Sequence, residues 1–194
     1  MKTNILILGT LSCALLVACN SKEKDNKTKE LYEPTTAIED PIERGGYLLN
    51  SNGCHDCHSP KKFTEKGMEL DPERLLSGHP ADEELPPYDE KTAKSYVLFS
   101  MGLTSTKGPW GTSFAANLTP HATGIGTWTE DQFVNCIKKG LYKGLEGSRP
   151  LLPPMPWEQY ANFTDDDLKA IFAYLKIMKP VKNIVPAPIA PKMN

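Results

Sequence analysis

Near its C-terminal end the chain carries a one-sided apolar stripe. Leu168, Ile171, Phe172, Leu175 and Met178 recur at three- and four-residue steps, the spacing of one helix face. The start of that helix is written in Phe163-Thr164-Asp165-Asp166-Asp167-Leu168. Thr164 caps, Phe163 and Leu168 form a hydrophobic staple, and three aspartates suit the positive helix end. The helix ends before Pro180. Trp128-Thr129-Glu130-Asp131-Gln132-Phe133 repeats the code: Thr129 caps, Gln132 closes a capping box, and Trp128 staples to Phe133. Further upstream, a short helix containing Tyr47 and Leu48 is broken by Asn52-Gly53. Residues 59–119 are less regular. Leu85-Pro86-Pro87-Tyr88 reads as loop. Residues 96–106 and 110–118, joined by Lys107-Gly108-Pro109, read as a small hairpin, although 96–103 fits a helix equally well. No internal repeat is present.

At the N-terminus, Lys2 precedes an apolar stretch over residues 5–17, too short to span a bilayer as a stable helix. It ends in Leu16-Val17-Ala18-Cys19, which resembles the lipobox of bacterial lipoproteins. The resemblance implies that residues 1–18 are a signal peptide and that Cys19 receives lipid on its thiol and its new amino group. The competing reading is an ordinary signal peptide cut at a small residue. Both send the chain out of the cytoplasm; the first also anchors it to a bacterial membrane. Residues 19–40 form a charged tether with little to bury, reaching on the order of 25 Å. The folded domain then runs over residues 41–183, followed by a Pro-rich tail, 184–194. With 194 residues, 39% hydrophobic and 24% charged, one globular domain plus a leader accounts for the chain. The formal charge of −2 becomes one unit more negative once Lys2 is lost. No basic excess exists to neutralise a nucleic-acid backbone, so that partner class is set aside. An acidic surface weakly favours a basic partner face.

The decisive motif is Cys54-His55-Asp56-Cys57-His58, the C-x-x-C-H attachment signature of c-type haem. Two thiols three residues apart lie on one side of a helical turn and reach the two vinyl groups on one porphyrin edge. The next histidine turns its imidazole under the ring toward iron. A zinc site requires a second ligand pair, which the sequence lacks. A thioredoxin-like motif requires a βαβ context and has no use for His58. The motif occurs once, so one covalent haem c is expected. Of five cysteines, Cys13 leaves with the signal, Cys19 takes lipid, and Cys54 and Cys57 become thioethers. Cys136, beside Phe133 and Ile137, reads as a small buried hydrophobe.

Candidates for the second axial position are Met68, Met101, Met155, Met178, Met193, His79 and His121. Met155 stands apart because three prolines in Leu151-Leu152-Pro153-Pro154-Met155-Pro156-Trp157 restrict the backbone around it. Met178 reads as packing on the last helix, and Met193 falls in the tail. The plain alternative for Met155 is loop packing.

Taken together, four pieces resemble the monohaem bacterial c-type cytochromes, and the c-type subunits that accompany periplasmic dehydrogenases. They are the Cys54–His58 motif, Asn117-Leu118-Thr119-Pro120 with Thr123-Gly124-Ile125-Gly126-Thr127-Trp128, the Pro-framed Met155 segment, and the last helix. The resemblance implies a mainly α cytochrome c fold, here with a long loop or small β-hairpin insertion after the attachment motif. It implies that the first and last helices cross closely, for which Gly45-Gly46 offers small residues. It implies haem attachment at Cys54 and Cys57, iron ligation by His58 and Met155, and electron transfer instead of catalysis. Trp110, Arg149 and Trp157 are candidates for the haem propionates, with plain packing as the alternative for the tryptophans. Expected partners are a redox donor and acceptor: a dehydrogenase, a respiratory complex or a terminal oxidase. The related subunits often carry more than one haem, whereas this chain has one motif. A sensor or peroxidase would need an open iron position; a purely structural lipoprotein would need no haem.

Overall fold

Asp40 opens the first helix by accepting hydrogen bonds from the backbone N–H groups of Ile42 and Glu43 at 2.7 and 3.3 Å, with Pro41 already set for a helical φ. In the computed structural model, which describes residues 40–191, this helix is α1, Pro41–Ser51. The signal stretch, the tether up to residue 39, Cys13, Cys19 and Met193 lie outside the described residues.

The last helix, α6 (Asp165–Ile177), starts where the sequence places it, with Thr164 accepting from the N–H of Asp167. It buries Leu168, Ile171, Phe172 and Leu175 but stops one residue earlier than the stripe suggests, so Met178 is the extended C-cap. α1 lies across α6. The crossing depends on Gly45 and Gly46. A Cβ on Gly45 would fall 2.0 Å from the Ala170 carbonyl oxygen, and one on Gly46 would fall 2.8 Å from the Tyr174 ring. The glycines are therefore there for close approach. Arg44 adds an ion pair to Asp167, with Nε and Nη2 at 2.9 and 2.8 Å from Oδ1. Being half-exposed, that pair is worth about 1 kcal/mol at most.

Helix α4 (Glu130–Lys139) carries the full Thr129–Gln132 capping box and ends at Gly140. Its Phe133 meets Phe172 of α6 at 5.4 Å between ring centres. Leu48, Leu49, Leu76, Ile125, Phe133 and Ile137 join the α6 residues in one buried cluster. Tyr47, on the other face of α1, is exposed. Cys136 is buried and free, as expected of a small core residue, and burial pushes its thiol up to about 11.

Between the attachment motif (α2, Cys54–His58) and residue 115 the chain is mostly strand and loop. β1 (Lys61–Thr64) and β2 (Gly67–Leu70) form one antiparallel hairpin. After a single turn of helix, α3 (Glu90–Ala93), β3 (Leu98–Phe99), β4 (Ser105–Gly108) and β5 (Gly111–Phe114) form a second antiparallel sheet in that order. The expected hairpin around Lys107-Gly108-Pro109 is present with shorter strands. The helical alternative over 96–103 is replaced by a strand and a turn. With α5 (Trp157–Tyr160), the described residues hold six helices and two small sheets, a mixed architecture. No helix among them is long and apolar enough to cross a membrane.

The crossing makes a quantitative prediction. Gly45→Ala loses about 1–3 kcal/mol of stability, because backbone must move to admit the methyl. Gly102→Ala, whose Cβ meets nothing nearer than 3.8 Å, stays within about 0.5 kcal/mol. Chemical denaturation of the two variants checks the difference.

Candidate haem-binding site

The N–H of Asn52 bonds back to the Leu48 carbonyl at 3.0 Å and closes α1; after Gly53 the chain turns into α2. Cys54, Cys57 and His58 thereby share a single helical segment. Both thiols are half-buried and free. Cys54 packs against the core cluster, and burial pushes its thiol up to about 11; burial also raises Cys57. Lys61 closes the helix from its C-terminal end. Its ammonium donates to the carbonyls of His55, at 3.3 Å, and Asp56.

His58 is held by its ring. Nδ1 lies 2.8 Å from the Ala116 carbonyl oxygen, which only accepts, so Nδ1 carries the proton. Nε2 is left with its lone pair. Burial holds the imidazole below the ordinary histidine range, while the bond to Ala116 works against that shift. A neutral, oriented imidazole with one free nitrogen is what a metal ligand requires.

The segment that supplies this carbonyl is itself fixed. The His79 N–H donates to Ala115 at 2.9 Å, Leu118 N–H to Leu76 at 2.8 Å, and Gly78 N–H to the carbonyl of His58 at 2.8 Å. Gly78 has φ +76°, and a Cβ there would lie 2.5 Å from the Ala115 oxygen, so only glycine lets the two segments approach. The buried Ser59 hydroxyl accepts from Leu76 N–H and meets His55 Nδ1. Two amides lock the far side. Asn183 donates to the carbonyls of Ser77 and His79 and accepts from Ala81. Asn117 donates to Val181 and accepts from the N–H and hydroxyl of Thr119.

Met155 is half-buried and packs against the same buried cluster as Cys54. The α5 turn that follows it is tied to the motif, because the Tyr160 hydroxyl donates to the Asn52 carbonyl at 2.9 Å. Among the other candidates, Met68 and Met101 are exposed, and Met178 packs at the end of α6. His121 Nδ1 accepts from the Thr123 N–H, within its own loop. His79 is fully buried, with Nδ1 at 2.9 Å from the Thr104 hydroxyl and its ring 4.8 Å from that of Phe114. Its Nε2 has no hydrogen-bond partner. Of the propionate candidates, Trp110 spends its N–H on the Ser113 hydroxyl at 3.2 Å. Arg149 lies over the Tyr142 ring and donates to the Pro150 carbonyl, and the Trp157 ring covers Gly140. Ala116, Asn183 and Ser113 carry no signal in the sequence: one contributes a backbone oxygen, and the others are small polar residues outside any motif.

The donor set fits a c-type haem. It offers two unpaired thiols on one turn, a neutral imidazole with a free nitrogen, and a thioether packed on the same core. Among the described residues no group of three or more His, Cys, Asp or Glu is placed to hold a metal ion, as a zinc site would be.

No family model matches the chain. It is similar to the gluconate 2-dehydrogenase cytochrome c subunit of Pantoea cypripedii, 29% identical over 170 residues, covering 87% of this chain and 26% of that protein. The fructose dehydrogenase cytochrome subunit of Gluconobacter japonicus is 29% identical over 150 residues, covering 76% and 24%. The cytochrome c subunit of the quinone-type alcohol dehydrogenase of Gluconobacter oxydans is 36% identical over 142 residues, covering 72% and 22%. All three are named as cytochrome subunits of dehydrogenases. The chain spans about a quarter of their length.

Buried His79 has a consequence for acid stability. Burial lowers its proton affinity below that of the unfolded chain. As pH falls through the unfolded histidine value, near 6.5, the unfolded state takes up a proton that the folded state refuses, and stability is lost. One such group contributes at most about 1.4 kcal/mol per pH unit. His79→Asn, which can still reach Thr104, flattens the fall between pH 7 and 5 in chemical denaturation. An unchanged slope removes His79 as its source.

Proposed function

We propose that the chain is a membrane-tethered one-electron carrier with a single covalent haem c. Cys54 and Cys57 would hold the porphyrin by thioether bonds, and His58 and Met155 would take the two axial positions. The observation that carries this reading is the 2.8 Å contact of His58 Nδ1 with the Ala116 carbonyl, which leaves Nε2 its lone pair, on one helical segment with two unpaired thiols. When bound, the haem supplies an iron that changes oxidation state by one electron. The chain's own part is to hold the imidazole in one tautomer, keep the thioether on the core, and leave no position open to oxygen or peroxide. Pairing a histidine with a neutral thioether favours the ferrous state relative to two histidines.

The similarity to cytochrome subunits supports a dehydrogenase as the electron source. A respiratory complex or terminal oxidase is the acceptor class. Lipid on Cys19 would hold the protein at a bacterial membrane, with the haem domain outside the cytoplasm, and residues 19–40 would let that domain move between partners.

Spectra of the mature protein, oxidised and reduced, and again in alkaline pyridine, where a thioether-bound haem stays on the chain, test the site. The weak red-edge band of a ferric sulfur–iron bond is expected in the parent and absent in Met155→Ala. One covalent haem without that band in the parent removes Met155 from the iron, leaving His79, His121 or an open position and a sensor or peroxidase role. For the anchor, Cys19→Ser is expected to move the protein from the membrane pellet to the soluble fraction at unchanged haem content. Retention in the pellet rejects the lipid reading.

A further inference from the structure

The Met155 segment cannot hold itself in place. Pro153, Pro154 and Pro156 have no N–H, and the one donor among them and Met155, the Met155 N–H, makes a 3.3 Å bond to Leu152 within the same loop. A bond to the backbone from elsewhere in the fold must therefore reach residues 153–156 through their carbonyls. Ser113 makes one. Its hydroxyl, buried on β5, donates to the Pro153 carbonyl at 2.6 Å. The Thr106 carbonyl, at 3.4 Å, is the weaker claim on the same proton. The Ser113 oxygen in turn accepts the indole N–H of Trp110 at 3.2 Å, which orients the hydroxyl.

That chain of donors stands on a fixed base. The Trp110 ring lies flush on Gly108, where a Cβ would sit 2.4 Å from the indole. β5 is paired with β4 on one side. On the other, Thr112 exchanges both backbone bonds with Ile189, at 2.8 and 3.0 Å. A sheet remote in sequence from the last helix thus grips the residue two before Met155.

We infer that Ser113, oriented by Trp110, is a positioning residue for Met155, and that the β3–β5 sheet sets how firmly the thioether is held. The inference rests on Met155 being an iron ligand. Ferric iron binds a thioether weakly, so its retention depends on how much of the time the loop keeps the sulfur in place. Loosening the loop raises the population with the sulfur displaced, and an added ligand then binds more tightly in proportion. Losing one buried hydrogen bond is expected to change that population roughly five- to tenfold.

The probe is imidazole, titrated into the oxidised haem protein and followed at the red-edge band. Ser113→Ala is expected to bind imidazole roughly five- to tenfold more tightly than the parent, and Ser113→Thr, which keeps the hydroxyl, to restore the parent affinity. Trp110→Phe keeps the ring and loses the N–H, and its effect should lie between. A parent that shows the band, with Ser113→Ala binding imidazole no more tightly, overturns the positioning role and leaves the ligand assignment standing. Tighter binding that Ser113→Thr fails to reverse also overturns it, since the hydroxyl is then not responsible. A parent without the band removes the ligand assignment, and the inference with it. If Ser113→Ala does not accumulate with haem, Trp110→Phe decides: unchanged imidazole affinity rejects the role.

Discussion

One hydrogen bond organises the molecule, from His58 Nδ1 to the carbonyl of Ala116. It joins a five-residue helix with no buried residue of its own to a segment nearly sixty residues later. A helix that short has no independent stability. It exists because α1 delivers it, Lys61 neutralises its C-terminal end, and residues 76–79 and 115–118 close around its histidine. The same bond decides the chemistry, because a proton fixed on one ring nitrogen frees the other.

What the sequence makes legible follows how local each signal is. α4 and α6 are readable because their caps are side chains within three residues of the N–H groups they satisfy, and their buried faces repeat at helical spacing. The Cys54–His58 motif is readable because one short helix holds both cysteines and the histidine. The second sheet is only half readable. Ser105, Thr106, Thr112 and Ser113 are buried although polar, so no apolar alternation announces a strand; the turn at Gly108-Pro109 is the one clear mark. The partner of His58 is not legible at all, since every residue has a carbonyl. The same holds for the grip on Pro153, which needs the register of β5 before it can be seen.

The interior is satisfied by small polar groups as much as by apolar burial. Asn117 and Asn183 each use both ends of their amides, and Thr119 and Thr123 fill the spaces between them. Such networks specify one arrangement, because a shifted register would leave several buried groups unpaired. The crossing of α1 and α6 is specified differently, by the absence of side chains at Gly45 and Gly46. Steric fit positions the helices; amides position the loops around the histidine.

Asn183 lies 106 and 104 residues from the two carbonyls it ties, those of Ser77 and His79. Contacts that distant in sequence carry a loop-closure cost that nearer ones do not, and they form late. In a chain delivered from its N-terminus, Cys54, Cys57 and His58 emerge long before Asn183, which ties the loop bonded to His58. The order of emergence thus leaves the loop at residues 77–81 untied until Asn183 arrives. Placing the tie so much later in the chain separates the emergence of the motif from the fixing of the loop that bonds to it.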